Sequence, residues 1–199
     1  METPEEQSGF IEFEPFSTVI LQKVAEAADR KSKNAVFESV INDARAEVIN
    51  SEGNTRTTLY ANHRGLKSKH WNQTKQMAFD LNKAGIDVAF LPEFDDETSA
   101  DGLLKIGKTY RIVDFKYSST DNYNTIATEI EKGLSQTRNF VLKLDLGNLA
   151  TMENVVNQLI RKRLPMPNFI IISKYGKAFD VSSKDILIGK YKDILRGQL

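Results

Sequence analysis

The spacing of hydrophobic residues along the chain changes from a helical period to an alternating one near residue 85. Before that point, apolar residues recur every three or four positions, which predicts helices over residues 17–31, 33–50 and 69–84. Gly85 follows the third pattern and predicts the end of that helix, because glycine readily adopts the backbone conformation that terminates helices. The polar stretch at residues 51–58 predicts a loop.

Short β-rich runs dominate the rest of the chain and alternate with helical patterns. Three runs predict strands over residues 86–93, 101–107 and 109–118, with a tight hairpin turn at Gly107 and Lys108. The later segments predict a helix, a strand, a helix, two strands and a short helix, in this order: 122–137, 139–145, 151–163, 169–174, a strand ending near Val181, and a helix from Ser183. This order predicts an α/β fold with a central mixed β-sheet flanked by helices.

The composition is that of a globular protein and excludes several types of functional site. Of the 199 residues, 40% are hydrophobic and 27% are charged, which is ordinary for a chain with one well-buried domain. The absence of cysteine excludes disulfides, thiol nucleophiles and cysteine-based metal sites. No apolar run approaches the roughly 18 residues of a membrane helix, so we expect no membrane span. The phosphate-loop, dinucleotide-binding and zinc-protease motifs are also missing.

The formal net charge of zero hides two regions of opposite sign. Residues 1–30 carry seven acidic and two basic side chains, whereas residues 138–177 carry seven basic and two acidic ones. A basic region attracts phosphate even when the whole chain is neutral. The alternative, that these charges only solvate a surface, remains open at this point.

Two predicted hairpin strands carry the residues with the clearest chemical interest. Asp101 begins one strand, and Asp114 and Lys116 lie in the other. Because side chains alternate along a strand, Asp114 and Lys116 share one face while Phe115 points to the opposite, apolar face, which we expect to meet helices. Asp101 would approach both charged groups, and Glu93, after the preceding strand, would add another acid. The alternative makes Asp101 a turn residue and Asp114 and Lys116 an exposed edge-strand pair.

The pattern Asp101 followed by Asp114-x-Lys116 resembles the core of PD-(D/E)xK nucleases. In that superfamily an Asp, an acid two residues before a Lys, and an upstream acid build the site. The proline that precedes the first Asp in the family is Ala100 here. Many members also carry Q-x-x-x-Y on the next helix, and Gln136 fits this motif with Phe140 in place of the Tyr.

A narrower resemblance covers about residues 69–181. The chain is similar there to the C-terminal tRNA-nuclease domains of CdiA-type contact-dependent inhibition toxins, with related domains in phage and mobile-element proteins. The matching order is Leu91-Pro92-Glu93, Asp101-Gly102, Gly107, Asp114-x-Lys116 and Gly133-x-x-Gln136. The E-x-K common in that group is D-x-K here. The resemblance implies a restriction-endonuclease-like core over residues 66–199. It does not explain residues 1–65, for which the sequence pattern predicts an acidic arm and helical extension.

The resemblance also implies roles for individual residues. Asp101, Asp114 and Glu93 would bind Mg²⁺ or Mn²⁺, Lys116 would orient a water or stabilise the transition state, and Gln136 would position the water or a phosphate. Candidate nucleic-acid-binding residues are those that add positive charge or an aromatic ring near this core: Arg138, Lys132, Tyr117 and Lys174. The cluster of His63, Arg64, Lys67, Lys69 and His70 is expected in a solvated loop, with contact to RNA phosphate as the alternative.

The function implied is metal-dependent hydrolysis of tRNA by a toxin that acts in the cytoplasm of a target cell. Such a toxin would be delivered as part of a larger protein and would have a cognate immunity protein as partner, with acidic surface complementing residues 138–177. Two alternatives stay open. One is a DNA endonuclease of a phage or mobile element, and the other is a non-catalytic binding module on the same fold.

Overall fold

The computed structural model describes residues 23–24, 26–27, 29–60, 63–92 and 100–199. Within these ranges eight strands form one sheet in chain order: β1 (Glu47–Glu52), β2 (Thr55–Leu59), β3 (Ile86–Phe90), β4 (Gly102–Ile106), β5 (Thr109–Ser118), β6 (Asn139–Leu144), β7 (Asn168–Ile172) and β8 (Ala178–Val181). The β2–β3, β5–β6 and β6–β7 pairs are parallel and the others antiparallel. The predicted α/β fold with a central mixed sheet is therefore confirmed.

Helices cover both faces of this sheet. In chain order, the helices bounded within the described ranges are α1 (Arg30–Ile41), a 3₁₀ helix (Arg64–Lys67), α2 (Trp71–Lys83), α3 (Tyr123–Gly133), α4 (Leu149–Arg161), α5 (Ser183–Leu187) and α6 (Tyr191–Leu195). None of the helices in the described ranges is both long enough and apolar enough to cross a bilayer.

Two large apolar clusters lie on opposite sides of β5 and its neighbours. On one side, residues of α3 and α4 such as Ile130 and Leu159 pack against Phe140 of β6. On the other side, α2 places Met77 and Leu81 against Phe90, Val113 and Phe115 of β3 and β5. Strand β5 therefore lies between two apolar cores, and Asp114 is buried within the sheet rather than at its edge.

The predicted helix over residues 33–50 and the loop over residues 51–58 are wrong, because α1 ends at Ile41 and β1 and β2 follow. Gly53 adopts a φ of 56° in the turn between the two strands, a conformation that glycine accepts without strain. The side chain of Asn82, at the end of α2, accepts hydrogen bonds from Asn50 at 2.8 Å and from Thr57 at 2.7 Å. These contacts with a distant helix favour the hairpin over a continued helix.

Two strands from before residue 60 therefore lie in the same sheet as the strands of residues 86–181. The division of the chain into 1–65 and 66–199 stays a prediction.

The predicted helix over residues 122–137 is too long, because α3 ends at Gly133. The backbone N–H groups of Gln136 and Thr137 donate to the Gly133 carbonyl at 2.9 and 3.1 Å, which turns the chain. The Thr137 hydroxyl then donates to the Ile112 carbonyl at 2.8 Å and fixes the entry into β6. Gln136 consequently lies in a turn and not on the helix.

Asn82→Leu is expected to lower the free energy of unfolding by about 2–4 kcal/mol, because it leaves the buried Thr57 hydroxyl without its acceptor. It also removes the 2.9 Å bond from the Asn82 amide to the Ile86 carbonyl. Urea unfolding measures the change. Asn72→Ala, at an exposed position of the same helix, serves as the control and should stay within about 0.5 kcal/mol of wild type. Equal effects of the two substitutions would contradict this role of Asn82.

Candidate active site

Strand β5 carries the charged pair that the sequence singles out. Asp114 and Lys116 lie on one face of β5. They pair in register with Phe140 and Leu142 of the parallel strand β6. The Lys116 Nζ is 2.8 Å from the Asp114 Oδ2. The apolar face of this strand packs against α2, as expected, and α3 covers the charged face as well. The reason is that Phe140 and Leu142, beside the charged pair, belong to the apolar cluster that α3 buries.

Asp101 lies beside this pair, directly before β4. Its backbone carbonyl accepts a hydrogen bond from the Leu91 N–H at 3.0 Å, which continues the pairing of β3 and β4 by one step. Its side-chain Oδ2 accepts from the Phe115 N–H at 2.8 Å. The carboxylate is therefore tied to the strand that carries Asp114 and Lys116. The structure brings these three charged residues together, as the hairpin geometry predicts, and their catalytic roles stay a prediction.

Asp114 is an ionisable group in an almost dry environment, with 2% of its side chain exposed. The pKa of its carboxyl is raised to about 8, first by burial and next by the neighbouring Asp101 carboxylate, while Lys116 opposes the shift. The last residue of α3 contributes to this burial. A Cβ at Gly133 would lie 2.3 Å from the Asp114 Oδ2 and 2.6 Å from the Phe140 ring, so no larger residue fits without displacing them.

A cleft of about 650 Å³ opens next to these residues, where β5 ends. It lies between the first turns of α2 and α3, and its wall includes Asp101, Lys116 and Tyr117. Most of the other lining side chains are polar or charged of either sign: Ser68, Lys69, His70, Thr74, Ser118, Ser119, Thr120, Thr125 and the acidic Glu129. Phe115, Ile126 and Leu142 add apolar surface. Asp114 itself does not line the cleft but lies directly behind Lys116.

The predicted nucleic-acid-binding residues are distributed unevenly. Tyr117 lines the cleft, its ring centre lies 5.6 Å from that of His70, and its hydroxyl donates to Asp145, a bond that raises the pKa of Tyr117. Lys132 is exposed and pairs with Glu129 at 2.7 Å. Arg138 and Lys174 are exposed and do not line the cleft.

Two predicted catalytic residues are not brought into this group. Gln136 does not line the cleft, because its turn lies beside Ile112, toward the beginning of β5 and away from Lys116. Glu93 lies outside the described residues.

His63 is the cleft residue that sequence reasoning placed wrongly. It was expected in a solvated loop, but it is 2% exposed, and burial lowers its pKa. Its ring contacts those of Trp71 and Phe90, with centre distances of 5.5 and 5.1 Å, and its Nδ1 is 2.8 Å from the Leu91 carbonyl oxygen. The partners are 8 to 28 residues away along the chain, so no local pattern signals this burial.

We predict that Asp114→Asn flattens the pH dependence of stability. The pKa of Asp114 is about 8 in the folded protein against 3.8 for an ordinary Asp, so between these values only the folded state retains the proton. The free energy of unfolding of the wild type then falls as pH rises, by up to about 1.4 kcal/mol per pH unit, and the variant lacks this contribution. Urea unfolding between pH 4 and 8 in EDTA measures it. Parallel curves for the two proteins would show that the carboxyl titrates normally.

Comparison with known proteins gives a limited likeness. No protein-family profile matches the chain, and no curated protein matches its sequence. A chain in a solved structure described as a CdiA-CT/CdiI toxin and immunity complex from Burkholderia pseudomallei is 24% identical, with a TM-score of 0.45. The match covers 59% of this chain and 87% of that chain. The functional conclusion therefore rests on the geometry of the charged residues at the cleft.

Proposed function

We propose that the protein is a metal-dependent phosphodiesterase that hydrolyses nucleic acid. The observation that supports this is the grouping of two carboxylates and an ammonium, in which Asp101 and Lys116 line the cleft and Asp114 lies behind Lys116. Asp114 is buried, and the Asp101 carboxylate beside it makes its ionisation still less favourable. A bound divalent cation would relieve this repulsion. An ammonium group 2.8 Å from one of them supplies positive charge next to the same position.

The donor chemistry fits Mg²⁺ or Mn²⁺. Magnesium sites in enzymes commonly use one or two protein carboxylates and complete the shell with water and substrate phosphate oxygens. Asp101 and Asp114 would hold the ion, which when bound polarises the phosphate and acidifies a water. Among the described residues there is no cluster of three or more acidic or histidine side chains. Glu93 is the proposed third carboxylate.

Lys116 is placed for the charge that develops during hydrolysis. Water attacks phosphorus, the P–O bond to the leaving nucleotide breaks, and the products are a phosphate monoester and a hydroxyl group. The Lys116 ammonium lines the cleft and would stabilise the negative charge on the phosphate oxygens in the transition state. Since Gln136 does not line the cleft, we assign it no step.

We propose tRNA as the first substrate to test. Lys69 and Lys116 offer positive charge to a phosphate backbone, while the rings of Tyr117 and His70 offer surfaces on which unpaired RNA bases stack. The residue order similar to tRNA-nuclease domains of CdiA-type toxins supports the same substrate. By this proposal the domain acts in the cytoplasm of a target cell after delivery, and an acidic immunity protein is its partner.

Lys116→Gln is expected to reduce the rate of cleavage of total tRNA at least about 100-fold, because the transition state loses the ammonium group that stabilises its negative charge. The assay follows fragments on a denaturing gel with Mg²⁺ or with EDTA, beside plasmid DNA as a second substrate. Lys184→Gln removes an exposed lysine of α5 outside the cleft and should leave the rate unchanged.

Metal-dependent tRNA fragments that disappear with Lys116→Gln would support the toxin-type nuclease. Cleavage of plasmid alone would favour the DNA endonuclease. If the folded wild type cuts neither substrate, the catalytic proposal fails and the binding module becomes the better account.

A further inference from the structure

His63 is a buried polar residue to which the proposed reaction gives no role. An imidazole packed against Trp71 and Phe90 is costly to bury unless its nitrogen atoms find partners. The Nδ1 of His63 is 2.8 Å from the Leu91 carbonyl oxygen. A carbonyl only accepts hydrogen bonds, so Nδ1 carries the proton and donates it, which fixes one tautomer of the neutral ring.

The bond from His63 ends on the residue that holds Asp101. The Leu91 N–H donates to the Asp101 carbonyl at 3.0 Å, one step beyond the paired Phe90 and Gly102. Leu91 is fully buried, and the imidazole supplies a hydrogen-bond donor to its carbonyl oxygen there. The continuous path is therefore imidazole, Leu91 peptide group, Asp101 backbone, and then the Asp101 carboxylate with its bond to the Phe115 N–H.

We infer that His63 is a positioning residue that holds the Asp101 carboxylate in the geometry needed for a divalent cation. This inference rests on the proposed function for the identity of the ligand. His63 also lines the cleft beside Asp101 and Lys116, so the ring is close to the group that it positions. Residues that orient metal ligands through hydrogen bonds typically change metal affinity by 10–100-fold when they are replaced.

The test compares His63→Leu with His63→Asn. Leucine has a side chain of similar size but donates no hydrogen bond. The Asn amide nitrogen is separated from Cα by the same number of bonds as the histidine Nδ1 and restores the donor. Amide hydrogen exchange at Phe115, without metal, reports the bond from Asp101. Calorimetry with Mn²⁺ alone reports the affinity.

His63→Leu is expected to accelerate exchange at Phe115 at least tenfold relative to the buried Ile171, and to weaken Mn²⁺ binding at least tenfold. His63→Asn should restore both to within about threefold. Thr57→Val is the matched control, since it breaks a buried hydrogen bond of β2 and should leave the Phe115-to-Ile171 ratio and the Mn²⁺ affinity unchanged.

Two results would overturn the inference. One is a ratio of the Phe115 and Ile171 exchange rates that His63→Leu leaves unchanged, and the other is a loss of protection and of Mn²⁺ affinity with His63→Asn as large as with His63→Leu. A wild type that binds no Mn²⁺ overturns the proposed function instead. In that case the exchange measurement still decides whether His63 holds Asp101 in place.

Discussion

The burial of one carboxyl group, that of Asp114, constrains the rest of the candidate site. An acid with 2% of its side chain exposed needs compensation, and Lys116 at 2.8 Å supplies part of it. The nearby Asp101 carboxylate works in the opposite direction and raises the pKa of Asp114. The Asp101 carboxylate accepts the Phe115 N–H, yet its charge makes ionisation of Asp114 less favourable. We propose that a bound cation, rather than the stability of the fold, accounts for this arrangement.

The sheet and its helices explain why these charges meet at a cleft. Strand β5 lies between the cores under α2 and α3, so it is rigid, and its end opens between the first turns of both helices. The glycine at position 133 lets α3 approach Asp114 closely, which keeps water from one side of the carboxyl. The other side borders the Lys116 ammonium, which lines the cleft. Rigid elements thus present the charged groups to one opening.

The sequence predicts the parts of the molecule that local pattern decides. Alternation along residues 109–118 correctly places Asp114 and Lys116 on one face, and the helical period correctly predicts α2. It fails where distant contacts decide. Residues 47–59 form a hairpin because Asn82 binds both strands, and His63 is buried by aromatic rings that come from α2 and β3. Gln136 leaves the helix because Thr137 binds Ile112. None of these contacts has a signal in neighbouring residues.

The central claim is that Asp101 and Asp114 hold one divalent cation beside Lys116. Anomalous scattering from crystals grown with Mn²⁺ tests it most directly, because the peak locates the ion without reference to any activity. The account predicts one strong peak within about 2.0–2.6 Å of a carboxylate oxygen from each of the two residues. A map with no peak between them at millimolar Mn²⁺, or with the ion bound elsewhere and Lys116 still paired with Asp114, would contradict it.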